Sequence, residues 1–226
     1  MIKKILYHGS SEIISMPVYG LGKLYNDYGQ GFYCTENLEM AKEWSCTEET
    51  DGYVNQYEID ESGLLILNLM EKRYSVLHWL AILMKYRKIR LSSAVMKRGR
   101  EWLLEHFLPE VDGYDVIIGY RADDSYFSFA RAFVNNEISL SRLSYAMRLG
   151  KLGEQYVLKS QKAFGALHFL SYEGVDSVEY YVKRRARDEK ARSAYQAKAE
   201  EDDIDGIYMR DLIRGEVSAE DERLWN

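Results

Sequence analysis

Strand-like segments open this chain and return after residue 154, with helix-like segments between them. That order constrains the fold more than any single motif. "KKILYHG" (3–9) reads as a short buried strand ending in glycine, and "GFYCT" (31–35) as a second. "GYVNQYEID" (52–60) and "GLLILNLM" (63–70) read as two more, joined through "ESG" as a hairpin. The helix after Thr35, its expected N-cap, sets Leu38, Ala41 and Trp44 on one face. Residues 74–106 have helical spacing in two runs, and "DVIIGY" (115–120) is a strand. Two further helices follow, the first opened by Asp124 or Ser125, and then the strands "EQYVLKS" (154–160) and "LHFLSYEGV" (167–175) around a short helix. This is not the regular alternation of a doubly wound sheet, so an α+β domain is expected.

The chain is expected to form one such domain over residues 1–180, with a helical insertion at about 74–108. Residues 181–226 form a charged helical extension. Within that extension, residues 183–199 carry seven Lys/Arg against two acids, a pattern usual for a solvated helix face, and "EEDDID" (200–205) follows. The apolar residues Ile207, Leu212 and Ile213 are expected to dock this tail on the body.

A net charge of −6 gives no support to general nucleic-acid binding. Nothing approaches the ~18 apolar residues of a membrane helix, and the N-terminus has no small-residue cleavage site. Cys34 and Cys46 lack metal spacing and are expected as free thiols in a reducing cytoplasm; no metal is expected. Nineteen tyrosines suit sites that stack on a ring and hydrogen-bond at its edge.

Two glycine-marked motifs are the candidates for chemistry. In "ILYHGS" (5–10), Gly9 lets another group approach the backbone beside His8. In "YGQGFYCT" (28–35), Gly31 leads into Tyr33. Each alone is commonplace, a strand-end histidine and a tight turn. As a pair they are more specific.

The first motif resembles the "L-W-H-G-S" strand of poly(ADP-ribose) polymerases. Residues 28–44, "YGQGFYCTENLEMAKEW", resemble the "F-G-K-G-I-Y-F-A" strand and helix of the same superfamily. The chain is therefore similar to the ADP-ribosyltransferase superfamily in its His-Tyr-Glu branch. Within that branch it is most similar to the bacterial DUF3990 family. The resemblance implies a split two-sheet core and an NAD⁺ site. His8 would bond a ribose hydroxyl, Gly9 and Ser10 would hold the nicotinamide end with Gly31 beside it, and Tyr33 would stack on the ring. Trp44 would supply a second ring, since cation–π contacts are worth about 0.5–2 kcal/mol; its other reading is core packing.

The superfamily's catalytic glutamate opens a strand of the form "E-Y-I-V-Y". Here "EQYVLKS" sets Gln155 at that position and Glu154 one residue earlier. Neighbours on a strand face opposite ways, so only one of them meets the site unless a bulge intervenes. Glutamine can bond the ribose 2′-hydroxyl but supplies neither a base nor a charge. Restoring glutamate is therefore expected to raise turnover. In "GYRADDSYFSF" (119–129), Arg121 suits a pyrophosphate, and Asp123 or Asp124 an acceptor nucleophile; the other reading of Asp124 is as the cap of the next helix. The expected function is NAD⁺-dependent mono-ADP-ribosylation of a protein or nucleic-acid acceptor. The alternatives are a non-catalytic NAD⁺ or ADP-ribose module, or NAD⁺ hydrolysis.

Overall fold

The computed structural model describes residues 3–121, 124–149, 153–199, 201 and 203–225. Among the described residues, seven strands form two sheets. The first has the order β1 (Lys3–Ser10), β3 (Gly52–Asp60), β7 (Leu167–Val175), all antiparallel. The second has the order β2 (Phe32–Cys34), β6 (Glu154–Leu158), β5 (Val116–Tyr120), β4 (Ile66–Asn68). Its pairing is antiparallel except between β4 and β5.

Period-2 patterning decides how the sheets meet. Leu6, Tyr57 and Ile59 of the first sheet bury their side chains with Val116, Ile118, Tyr156 and Leu158 of the second. The alternate residues of the second sheet, Ile117 and Val157, face a helical layer that holds the largest core. Into that layer pack α2 (Val76–Tyr86) and α3 (Ala94–His106), as helical spacing at 74–106 predicts. α4 (Asp124–Val134) and α5 (Leu140–Arg148) complete it. Nearly every residue of α2 is buried, including Trp79, Leu80 and Ile82 at 1% exposure or less, so this is a central helix.

Three local expectations are corrected. β3 and β4 do not form a hairpin: "ESG" carries the chain from one sheet to the other, and β4 pairs in parallel with β5. Beside β5, Leu67 and Leu69 reach the main core while Leu64 and Ile66 pack into the core between the two sheets. Helix α1 (Leu38–Ser45) is capped by Asn37, whose side chain accepts from Met40 N at 3.1 Å, while Thr35 Oγ1 accepts from Asn37 N. The helical pattern "SLSRLSYAMRLGKL" runs over 139–152, whereas α5 closes at Arg148 with Leu149 as its C-cap, and residues 150–152 lie outside the described set.

After the short helix α6 (Gln161–Gly165) and β7, the long helix α7 (Ser177–Ala199) runs beside α1. Arg187 Nε and Glu43 Oε2 join the two at 2.8 Å. The tail docks on the body: Met209 and Leu212 of α8 (Met209–Arg214) are buried in the main core, with Ile207 and Ile213 packed against it. Among the described residues, no helix is long and apolar enough to cross a membrane. Cys34 and Cys46 are both free and buried.

Candidate functional site

A cleft of about 480 Å³ opens where β1, the loop before β2, α1 and the start of β6 converge. His8, Gly9, Tyr33, Trp44, Arg121 and Gln155 all line it. Ser10 and Gly31 do not reach the wall. Ser10 Oγ accepts from Glu12 N at the end of β1, and Gly31 is a packing glycine whose Cβ would lie 2.8 Å from Leu158 O and Val157 Cγ1.

His8 points its Nδ1 at the carbonyl oxygen of Tyr33, 2.6 Å away. A carbonyl only accepts, so Nδ1 carries the proton and Nε2 is the bare acceptor. Burial pushes the imidazole pKa below its usual 6.5, partly opposed by the Tyr33 bond, and so favours that neutral form. Phe32 packs on the ring at 4.4 Å between centroids and fixes its plane.

Gly9 is glycine for two reasons. A Cβ would sit 2.1 Å from Ala41 O, so α1 can lie against β1 only over a bare backbone. β1 is also an edge strand. Tyr7 exchanges two hydrogen bonds with Thr35 across that edge, an isolated bridge, and strand alternation turns the N–H and C=O of Gly9 to the same edge. A peptide donor and acceptor side by side is a match for a carboxamide.

Tyr33 has its hydroxyl tied back into its own loop, donating to Gly29 O at 2.6 Å and accepting from Tyr28 N at 3.1 Å. Burial first, then nearby Asp27, pushes the phenol pKa well up, against the Tyr28 bond. The side chain therefore offers the cleft a neutral ring. Trp44 packs against the main core and also lines the cleft, and its indole carries the Arg121 guanidinium 3.7 Å from the ring centroid. Arg121 is thus stacked on an aromatic face. Asp123 lies outside the described residues, and Asp124 is the first residue of α4.

Strand β6 resolves the choice between Glu154 and Gln155. Gln155 is buried and faces the cleft. Glu154 is exposed on the opposite side, beside Thr35, Glu36 and Asn37. No bulge interrupts the pairing of β6 with β5. Gln155 Nε2 lies 3.4 Å from Asp27 Oδ2, and a carboxylate only accepts, so the amide N–H is directed there. Gln155 Oε1 and Trp44 Nε1 are left as a buried acceptor and a buried donor with no protein partner. Such atoms are costly unless a ligand or water meets them.

Sequence reasoning missed Asp27, Arg87, Lys23 and Arg184, all in this wall. Asp27 sits in a glycine-rich loop without periodicity, Arg87 at the C-cap of α2, and Arg184 in the basic run of α7. Arg87 Nε pairs with Asp27 Oδ1 at 3.3 Å. Four cations against one carboxylate give the described wall a positive balance suited to an anionic ligand. Among the described residues, no group of three His, Cys, Asp or Glu is placed to hold a metal ion.

A split two-sheet α+β protein with a cationic, aromatic cleft is the class that fold and site define. The chain belongs to the family described as "Protein of unknown function (DUF3990)", whose model matches residues 4–169. Comparison with curated proteins and with solved structures returns no match to either.

Proposed function

We propose that this chain is an NAD⁺-dependent mono-ADP-ribosyltransferase that modifies a macromolecular acceptor, a protein in the first instance. One observation supports the reading above the others. The motif residues His8, Gly9, Tyr33 and Gln155, far apart in sequence, line one cleft with a donor and an acceptor buried there and unpartnered.

In this reading His8 Nε2 accepts from a ribose hydroxyl, and the Gly9 peptide pairs with the nicotinamide carboxamide. Gln155 Oε1 accepts from the ribose 2′-hydroxyl. Tyr33 lies under the nicotinamide ring. Arg121 leaves the Trp44 indole for the pyrophosphate, and the cationic nicotinamide takes its place. One planar cation replaces another, so the exchange is close to neutral at about 0.5–2 kcal/mol for either contact. Arg121's fork then gains charge-assisted bonds to phosphate oxygens.

A second reading rests on Gln155 itself. Without a carboxylate at that position the cleft would bind NAD⁺ or ADP-ribose without transfer, or leave water as the only acceptor. Incubating the protein with NAD⁺ labelled in its adenylate half and a bacterial lysate separates these. Label on macromolecules supports transfer, free ADP-ribose alone means hydrolysis, and unchanged NAD⁺ means a binding module.

A further inference from the structure

The position that the resemblance reserves for a carboxylate holds Gln155, and the amide of Gln155 is directed at a different carboxylate, Asp27, 3.4 Å away. Asp27 belongs to the loop before β2 and is buried at 7% exposure in the cleft wall. Its other oxygen lies 3.3 Å from Arg87 Nε, which balances its charge. The residue is held by more than this pair. The next residue, Tyr28, is fully buried and donates its hydroxyl proton to Tyr120 O at 2.6 Å. Lys159 Nζ donates to the carbonyls of Tyr28 and Gln30, both at 2.6 Å. Asn26 O accepts from Gly29 N. Three bonds to Tyr120 and Lys159 and one turn bond within the loop hold the backbone around this carboxylate, the rigid support that a catalytic group requires.

We propose that Asp27 is the catalytic carboxylate of this site, and that residue 155 is glutamine because Asp27 lies beside it. This rests on the NAD⁺ reading above. Glutamate at 155 would set two carboxylates at about the same 3.4 Å spacing, where one of them takes up a proton. Glutamine avoids that conflict. It donates one bond to Asp27 and keeps Oε1 for the ribose.

The bond from ribose C1′ to the nicotinamide nitrogen breaks, its electron pair leaving with neutral nicotinamide. Positive charge gathers at C1′ and the ring oxygen, facing the negative charge of Asp27. The acceptor's nucleophilic atom forms its bond to C1′, and its proton passes to an Asp27 oxygen and then to water.

The test measures nicotinamide release and the NAD⁺-induced rise in melting temperature for the wild type and Asp27→Asn. Release should fall by about 10²–10³-fold in Asp27→Asn, on the scale of one electrostatic catalytic group, while the thermal shift persists. If Asp27→Asn does not fold with Arg87 left uncompensated, Asp27→Glu keeps the charge and displaces the oxygens by one methylene. It should lose tenfold or more in release, since about 1 Å of misplacement can remove 10²-fold. Release within about threefold of the wild type in a folded variant overturns the proposal and leaves the NAD⁺ reading intact. So does a wild type that binds NAD⁺ without releasing nicotinamide. A wild type that shows neither binding nor release removes the NAD⁺ reading, and this proposal with it.

Discussion

His8 Nδ1 donates to the carbonyl oxygen of Tyr33, 2.6 Å away, a side-chain bond that joins the two motifs of the sequence beside the two backbone bonds between Tyr7 and Thr35. The bond sets the tautomer, and the tautomer sets what His8 can do: accept at Nε2. A proton on Nε2 would remove that acceptor and place a cation near a cationic nicotinamide.

The pH dependence follows with a definite sign. The folded His8 pKa lies below the usual 6.5, mainly through burial, and that of His78 is lowered for the same first cause. The unfolded chain therefore takes up protons first as the pH drops. The histidine contribution to stability is complete above pH about 6.5 and is lost as the pH falls toward the folded values. NAD⁺ affinity should fall in the same window. Calorimetric titration from pH 7.5 to 5.5 checks this, and His8→Ala should bind weakly with a flat profile.

Tyr33 separates ring from hydroxyl. Tyr33→Phe loses the bonds to Gly29 O and Tyr28 N, and should lower stability by about 1–2 kcal/mol while keeping the NAD⁺-induced thermal shift. Tyr33→Ala should lose most of that shift. Differential scanning fluorimetry with and without NAD⁺ reads both.

Gly9→Ala is a folding variant before it is a binding variant. Its Cβ would meet Ala41 O at 2.1 Å and Ser45 N at 2.9 Å, both backbone atoms, so α1 must move. A loss of about 1–3 kcal/mol is expected, the scale of overpacking, measured by urea denaturation.

Gln155→Glu changes meaning once Asp27 is in view. On an isolated strand, restoring the superfamily's glutamate would raise turnover. Beside Asp27 Oδ2 the new carboxylate shares a proton instead, and no gain is expected. The exchange Asp27→Asn with Gln155→Glu relocates the charge to the superfamily position. It should recover at least about tenfold in nicotinamide release over Asp27→Asn alone.

What the sequence made legible was whatever repeats or sits on a strand. "KKILYHG" read as the strand β1, alternation across β6 set Glu154 and Gln155 on opposite faces, and helical spacing at 74–106 marked α2 and α3. The "ESG" turn was misread because turn residues signal a reversal but not the sheet that receives the next strand. Asp27 and Arg87 escaped for a related reason. A loop carboxylate and a helix-end arginine have no period, and their 3.3 Å approach depends on how a loop and a helix 60 residues apart pack. Arg184 looked like one more charge on a solvated face, although the run of α7 past α1 carries it to the cleft.

The measurement that tests the central claim most directly is a crystal structure of the protein grown with saturating NAD⁺. The nicotinamide carboxamide is expected within hydrogen-bond distance of the Gly9 N–H and C=O, its ring against Tyr33, and a ribose hydroxyl at His8 Nε2. NAD⁺ bound elsewhere on the molecule, or absent from the cleft at saturation, would contradict it.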